Sequence, residues 1–343
     1  MWRAPSIHPR DGLTALGVSA ALTAVAGGAA WRVWRRHGRS LRLAEPIDWS
    51  PGAGSTVAAS LAVRRHGPSG RPIVLLHGLG GSQSIWGAGY DCLGDQHRVI
   101  AVDLLGCGMS PHPRTGYTLA NHADAVASTL SDVGVGEPAV VVGHSFGALV
   151  ALRLALSHPQ LVAGVLAMCP PLFRCAADAR ERTAAAMTSL ERLLYLPTWR
   201  SGLICRNVCM KRPRLAESWA RRVRDELPPA LVVDAMRHTW DSYSQSIAQL
   251  LDATAAPEWL ARLPVPVDLL VGGGDAMLDM SLLEELAADH RHVRLRRVEH
   301  AAHLLPLTHV EECVLAVRSL TARVEASRTV PEIRERDPAD VAL

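Results

Sequence analysis

The chain is poor in several residue types, and each shortage removes a class of explanation. Among 343 residues there are two phenylalanines, four tyrosines and a single lysine, Lys211, and basic residues exceed acidic ones by only three. So small an excess excludes wholesale binding of nucleic acid or another polyanion, and any basic feature has to be local. Carrying nearly all positive charge on arginine reads as coding bias and points to no chemistry. Cysteines are few, odd in number and scattered (Cys92, Cys107, Cys169, Cys175, Cys205, Cys209, Cys313), which excludes a disulfide framework in a chain this size and reads as mostly reduced, buried thiols. No internal repeat or low-complexity tract occurs. What is plentiful is apolar material, 48% of the residues, enough to bury a large core and to exclude disorder of the whole chain.

A strongly apolar run of membrane length is also lacking, although one weak candidate exists. Residues 12–31 carry no charge, and about 20 helical residues suffice to cross a bilayer core. Ala, Gly, Ser and Thr outnumber Leu and Val there, so the transfer energy is small. Trp31 and Trp34 follow among Arg32, Arg35, Arg36, Arg39 and Arg42, whereas only Arg3 and Arg10 precede the run. That asymmetry predicts a single-pass amino-terminal membrane anchor over residues 1–42, with the rest of the chain on the cytoplasmic side. The alternative is a signal peptide cleaved after Ala24-Val25-Ala26, giving an exported protein.

Residues 43–70 read as a linker with an early edge hairpin around 57–63. Continuous apolar runs bounded by turn residues then occur at 72–76, 98–102, 139–142, 162–168 and 267–271, as expected of buried parallel strands, and 293–298 reads as the final strand. Helical patterns at 121–133, 148–157 and 310–320 alternate with them, which predicts an α/β protein with a mostly parallel, doubly wound sheet. Between 171 and 263 the alternation stops for longer than an ordinary crossover, so a helical insertion is expected, with segments near 179–196, 215–226 and 230–251. After residue 327 a charged, proline-interrupted sequence with no apolar face reads as a disordered tail.

The chemistry begins at Gly143-His144-Ser145-Phe146-Gly147. A G-x-S-x-G element between a buried strand and an apolar helix is a nucleophile elbow, which lifts a serine Oγ clear of the sheet. A serine hydroxyl needs a base to take its proton and a carboxylate to orient that base. After the strand at 267–271, Asp275 stands at the turn, with Asp279 as the alternate; Asp268 lies inside the strand. After the strand at 293–298, either His300 or His303 can supply the imidazole.

With these residues identified, the chain resembles the α/β-hydrolase fold family over about residues 71–320. Four motifs carry the resemblance in family order: His77-Gly78-Leu79-Gly80-Gly81, Asp103-Leu104-Leu105-Gly106-Cys107-Gly108-Met109-Ser110, the elbow, and the Asp275 to His303 pair. The resemblance implies a core at 71–170 and 264–326, a helical lid at 171–263, His303 as base because His303-Leu304-Leu305-Pro306 fits the family pattern, and Asp275 as its partner. It further implies an oxyanion hole from the backbone N–H groups of Leu79 and Phe146, with His77 shaping the loop and Asp103 to Ser110 serving as scaffold. A serine nucleophile, where dehalogenases and epoxide hydrolases of the family carry aspartate, implies an acyl-enzyme. The expected activity is hydrolysis of a lipophilic carboxylic ester without a cofactor. An acyltransferase, a haloperoxidase-like member or a non-catalytic ligand-binding protein on the same fold are the alternatives.

In the insertion, Met187, Leu190, Leu193 and Leu194 make one helical face and Met236, Trp240, Tyr243 and Ile247 another, both expected to pack on the core with a few positions left for the pocket. Lys211, Arg212, Arg214, Arg221, Arg222 and Arg224, interleaved with Glu217, Asp225 and Glu226, read as a solvated face in preference to an anionic-lipid contact. Cys205 and Cys209 can share a helix face, but nothing completes a metal site, and none is expected. Expected partners are a small-molecule or lipid ester, and the membrane through the amino-terminal segment.

Overall fold

The computed structural model describes residues 47–187, 192, 196–223 and 227–329. Strands β1 (Ser55–Ala58), β2 (Ala62–His66), β3 (Pro72–Leu76), β4 (Arg98–Val102), β5 (Ala139–His144), β6 (Val162–Met168), β7 (Val267–Gly272) and β8 (Val293–Val298) form one sheet in the order β1-β2-β4-β3-β5-β6-β7-β8. The pairs β1–β2 and β2–β4 are antiparallel, and every other pair is parallel. Strands β3 and β5 are apolar at almost every position because helices cover both faces, so their side chains are fully buried, whereas the outer strand β8 is buried only at Val293. Each Val or Leu removed from water there contributes about 1.5–3 kcal/mol before conformational entropy is set against it.

The crossover helices are α1 (Leu119–Asp132), whose Thr118 side chain caps it by accepting from the Asn121 N–H, and α2 (Phe146–Ser157). Between β6 and β7 lies a run of short helices: α3 (Ala176–Ala185), α4 (Trp199–Ile204) continued by a π turn (Cys205–Cys209), α5 (Pro213–Val223), α6 (Pro229–Ala235), α7 (Trp240–Asp252) and α8 (Ala256–Arg262). The pattern that predicts one helix over 230–251 is split between α6 and α7. Thr239 starts a new helix there: its side chain accepts from the Ser242 N–H while Ser242 Oγ accepts from the Thr239 N–H. Helices α9 (Met280–Asp289), α10 (Leu305–Thr308) and α11 (Val310–Thr329) complete the chain's described part, and α11 runs two residues past the point where a tail is expected.

One expectation is corrected. Among the described residues no helix is long and apolar enough to cross a membrane, so a single-pass anchor with the domain held at the cytoplasmic face is not indicated. The physical reason was present in the composition, since Ala-, Gly-, Ser- and Thr-rich sequence gains little on entering lipid. Residues 12–31, Leu190, Leu193, Leu194 and the tail after 329 lie outside the described residues.

Candidate active site

Parallel pairing of β3, β5, β6, β7 and β8 puts their carboxyl ends on one edge of the sheet, where side chains far apart in sequence converge. Ser145 leaves β5 with φ 52° and ψ −119°, a backbone conformation that a non-glycine residue holds only when its surroundings over-determine it. They do so here: the Ser145 N–H donates to the Met168 carbonyl at 2.9 Å. The flanking glycines are required by close approach. A Cβ on Gly143 would meet the Gly147 carbonyl oxygen within 2.2 Å, and one on Gly147 would meet the Leu76 and His77 carbonyl oxygens within 2.5 Å.

From this elbow the Ser145 hydroxyl donates to His303 Nε2 at 2.9 Å, and His303 Nδ1–H donates to Asp275 Oδ2 at 2.7 Å. The Asp275 side chain is buried and His303 partly exposed, so the imidazole stands between a dry carboxylate and the open side of the site. Burial alone would raise the Asp275 carboxyl; the hydrogen bond and charge of His303, with donors from the Met277 N–H and the Cys169 thiol, outweigh it and hold the carboxyl below its ordinary value. A carboxylate that stays ionised keeps the proton on Nδ1, which leaves Nε2 free to accept.

The alternate residues make other contacts. Asp279 caps α9 by accepting from the Leu282 N–H, and it binds Arg174 at 3.1 Å and Arg182 at 3.4 Å. His300 is an exposed turn residue at φ 62°. Asp268 pairs with Arg323 at 2.7 Å. Asp103 is scaffold, accepting from the Gln83 and Met109 N–H groups.

His77 is neutral in its surroundings because burial lowers its pKa, and both ring nitrogens are used: Nδ1–H donates to the Gly78 carbonyl and Nε2 accepts from the Leu104 N–H. It thereby ties the loop after β3 to the loop after β4. Leu79 sits in the tight turn closed by Gly81 N–H to the Gly78 carbonyl, and Gly78 lies against the elbow: a Cβ there would come within 3.2 Å of Ser145 Cβ. Phe146 is the first residue of α2, so its N–H has no acceptor within the helix.

Two further residues at this edge make contacts that the sequence does not signal. His144 Nε2–H donates to the His303 backbone carbonyl at 2.8 Å, fixing the loop that carries His303 against the elbow; burial and the neighbouring His303 push the His144 pKa down to about 3. Cys169, just after β6, donates to Asp275, and burial raises its thiol far above the ordinary value. The only available signals were their positions, one inside the elbow and one at a strand end. Cys169, Asp275 and His303 bring their polar atoms within 4.8 Å of one another, a set whose composition suits a metal. In this arrangement the His303 Nδ1–H and the Cys169 thiol both donate to the Asp275 carboxylate.

Comparison with known proteins agrees with this architecture. An uncharacterized protein of Mycobacterium tuberculosis is 40% identical over 94 residues, which are 27% of this chain and 27% of that protein, so the match spans about a quarter of that relative's length. The pimeloyl-[acyl-carrier protein] methyl ester esterase of Aromatoleum aromaticum is 31% identical over 264 residues, 72% of this chain and 97% of that one. A thermophilic esterase from Thermogutta terrifontis superposes with a TM-score of 0.60 at 21% identity, over 79% of this chain and 99% of its own, a likeness of fold. The family model of the alpha/beta hydrolases matches residues 73–316, from the first residues of β3 into α11. Sheet order, elbow and matched span lead to one conclusion: the chain belongs to the alpha/beta hydrolase family.

Proposed function

We propose that the chain is a serine hydrolase that cleaves a lipophilic carboxylic ester through an acyl-enzyme on Ser145. The observation that carries this reading is the His303 ring bridging Ser145 Oγ at 2.9 Å and Asp275 at 2.7 Å, a relay already within proton-transfer distance. In the proposed reaction Ser145 Oγ attacks the ester carbonyl carbon as His303 Nε2 takes its proton. The charge that builds on the carbonyl oxygen is met by the Phe146 N–H at the positive end of α2 and by the Leu79 N–H. The tetrahedral adduct collapses, the C–O bond breaks, and His303 returns the proton to the leaving alcohol. Water then attacks the acyl-enzyme by the same route, with His303 again as base, and releases the acid and free Ser145. Asp275 stays ionised and stabilises the imidazolium that forms in each half.

An ester is favoured over other acyl bonds by the Aromatoleum aromaticum relative, whose name states a methyl ester as the bond cleaved. A lipophilic acyl group is favoured by the apolar side chains of the insertion that pack over the core, among them Ile247 and Tyr243. The experiment is a panel of 4-nitrophenyl acyl esters of increasing chain length, run with the full chain and with Ser145→Ala. Turnover that rises with acyl length and vanishes in Ser145→Ala supports the reading. Equal turnover by both proteins overturns it.

A further inference from the structure

Four of the six large hydrophobic side chains that stand exposed among the described residues fall within 17 residues of the insertion: Trp199 at 72%, Leu203 at 53%, and Met210 and Leu215 at 49% each. Trp199 and Leu203 are one helical turn apart on α4, and with Arg206, Gly202, Thr198 and Trp240 they line an open cleft of about 490 Å³. Met210 and Leu215 continue the exposed apolar positions through the π turn into α5.

Charge is distributed just as unevenly. From residue 192 to residue 216 the sequence contains no Asp or Glu, while Arg200, Arg206, Lys211, Arg212 and Arg214 are all exposed, so residues 199–215 carry more positive charge than the whole chain nets. Arg206 has a distant ion pair with Asp241 at 3.5 Å; Arg200 lies over the Trp199 ring, and Lys211 donates to Asn207. Among the described residues no acidic side chain pairs with Arg200, Lys211, Arg212 or Arg214. Solvation alone accounts for cations in such a place, but not for four large apolar side chains projecting among them.

We infer that residues 199–215 are a docking surface for an anionic lipid–water interface, with Trp199, Leu203, Met210 and Leu215 entering the acyl boundary and the five cations meeting lipid phosphates. A peripheral contact of this kind needs no membrane-spanning helix. Mixed apolar and cationic character favours lipid over an acidic protein or a nucleic acid. A polyanion uses the cations and leaves the apolar side chains in water, whereas a headgroup layer offers phosphate and hydrocarbon within about 5–10 Å of depth. Attraction between exposed charges is screened by salt, so binding falls as ionic strength rises.

The test is co-sedimentation of the full chain with vesicles of equal parts phosphatidylglycerol and phosphatidylcholine, against pure phosphatidylcholine, at low and high salt. Binding to the anionic vesicles is expected to be at least about tenfold tighter than to the neutral ones and to collapse at high salt. Combined Arg200→Gln, Lys211→Gln, Arg212→Gln and Arg214→Gln is expected to remove that preference; Trp199→Ala with Leu203→Ala is expected to weaken binding several-fold while leaving the salt dependence. Each variant should turn over a water-soluble short-chain ester like the parent, and the milder Arg212→Gln with Arg214→Gln replaces the four-site variant if that one does not fold. Ser145→Ala should bind as the parent does, which separates this surface from the hydrolase reading. Binding to both vesicles alike, indifference to salt, or unchanged binding by the charge variant overturns the inference. Retention on polyglutamate through the same cations without vesicle binding overturns it too, in favour of an acidic macromolecule.

Discussion

Two stretches of this chain start with similar ingredients, apolar residues around a turn and a helix, and end in opposite states. From Ala139 to Leu152, through β5, the elbow and the start of α2, every residue is buried; from Trp199 to Leu215 only Ser201, Gly202 and Cys205 are. In the first, packing dictates each residue, down to the missing Cβ atoms of Gly143 and Gly147 and the φ of Ser145. In the second, short helices are held by local caps such as the Thr198–Ser201 box, and large side chains are left facing out. Strain that positions a reacting group requires a rigid frame, while a surface that meets a soft partner does not.

The largest expected effect separates the two regions by activity. Asp275→Asn and His303→Ala should each lower kcat by roughly three to four orders of magnitude, because either removes the oriented proton acceptor. Asp279→Asn, on the α9 cap and its arginine pairs, should leave kcat within about twofold and instead cost about 1–2 kcal/mol of stability. Steady-state kinetics and urea unfolding on the three proteins distinguish these outcomes. If Asp279→Asn proves the more damaging to kcat, the carboxylate has been misassigned.

Next in size is the frame itself. Gly147→Ala drives a methyl group into the Leu76 and His77 carbonyl oxygens, rigid backbone atoms at 2.5 Å, and should cost roughly 3 kcal/mol or more. On the other side of the comparison, Thr239→Ala removes the cap that separates α6 from α7 and should cost only about 1 kcal/mol. Equal urea midpoints for the two variants would remove the distinction between a packed and a locally capped region.

Between these lies an effect of pH. The fold keeps His144 neutral down to about pH 3, whereas its ordinary pKa is 6.5. Between those values the unfolded chain binds the extra proton, so this contribution to stability is fully present above pH 6.5 and is lost progressively as pH falls towards about 3. The slope is at most about 1.4 kcal/mol per pH unit for the one group. His144→Gln should flatten the decline in urea midpoint between pH 6 and pH 4.5 relative to the parent; an unchanged slope would show that His144 titrates normally in the fold.

The same contrast explains what the sequence made readable. The runs at 72–76, 98–102 and 162–168 coincide with β3, β4 and β6, because strands packed between helices are continuous apolar segments cut off by turn residues, and the segment 293–298 coincides with the outer strand β8. Alternation of strand and helix carried the topology, and the elbow motif located the carboxyl edge of the sheet. Of the side chains singled out from motif order, His303 stands within hydrogen-bonding distance of both Ser145, 158 residues away, and Asp275, 28 residues away. His144 and Cys169 escaped notice because their contacts are tertiary: one reaches a backbone carbonyl of another loop, the other a carboxylate at the end of another strand. In the insertion, periodicity joined α6 and α7 into one helix, since a Thr–Ser cap inside an amphipathic run does not interrupt the apolar spacing. The basic residues near 211 read as a solvated face until the exposure of Trp199 and Leu203 put apolar side chains among them.

The central claim is that the packed elbow makes Ser145 a nucleophile through His303. Its most direct measurement is covalent labelling of the full chain with a fluorophosphonate, followed by peptide mass spectrometry. One adduct is expected, on Ser145, formed by the parent protein and by Asp279→Asn at similar rates, formed much more slowly by His303→Ala, and absent from Ser145→Ala. A folded parent protein that takes up no label, or carries it on another residue, would contradict the account.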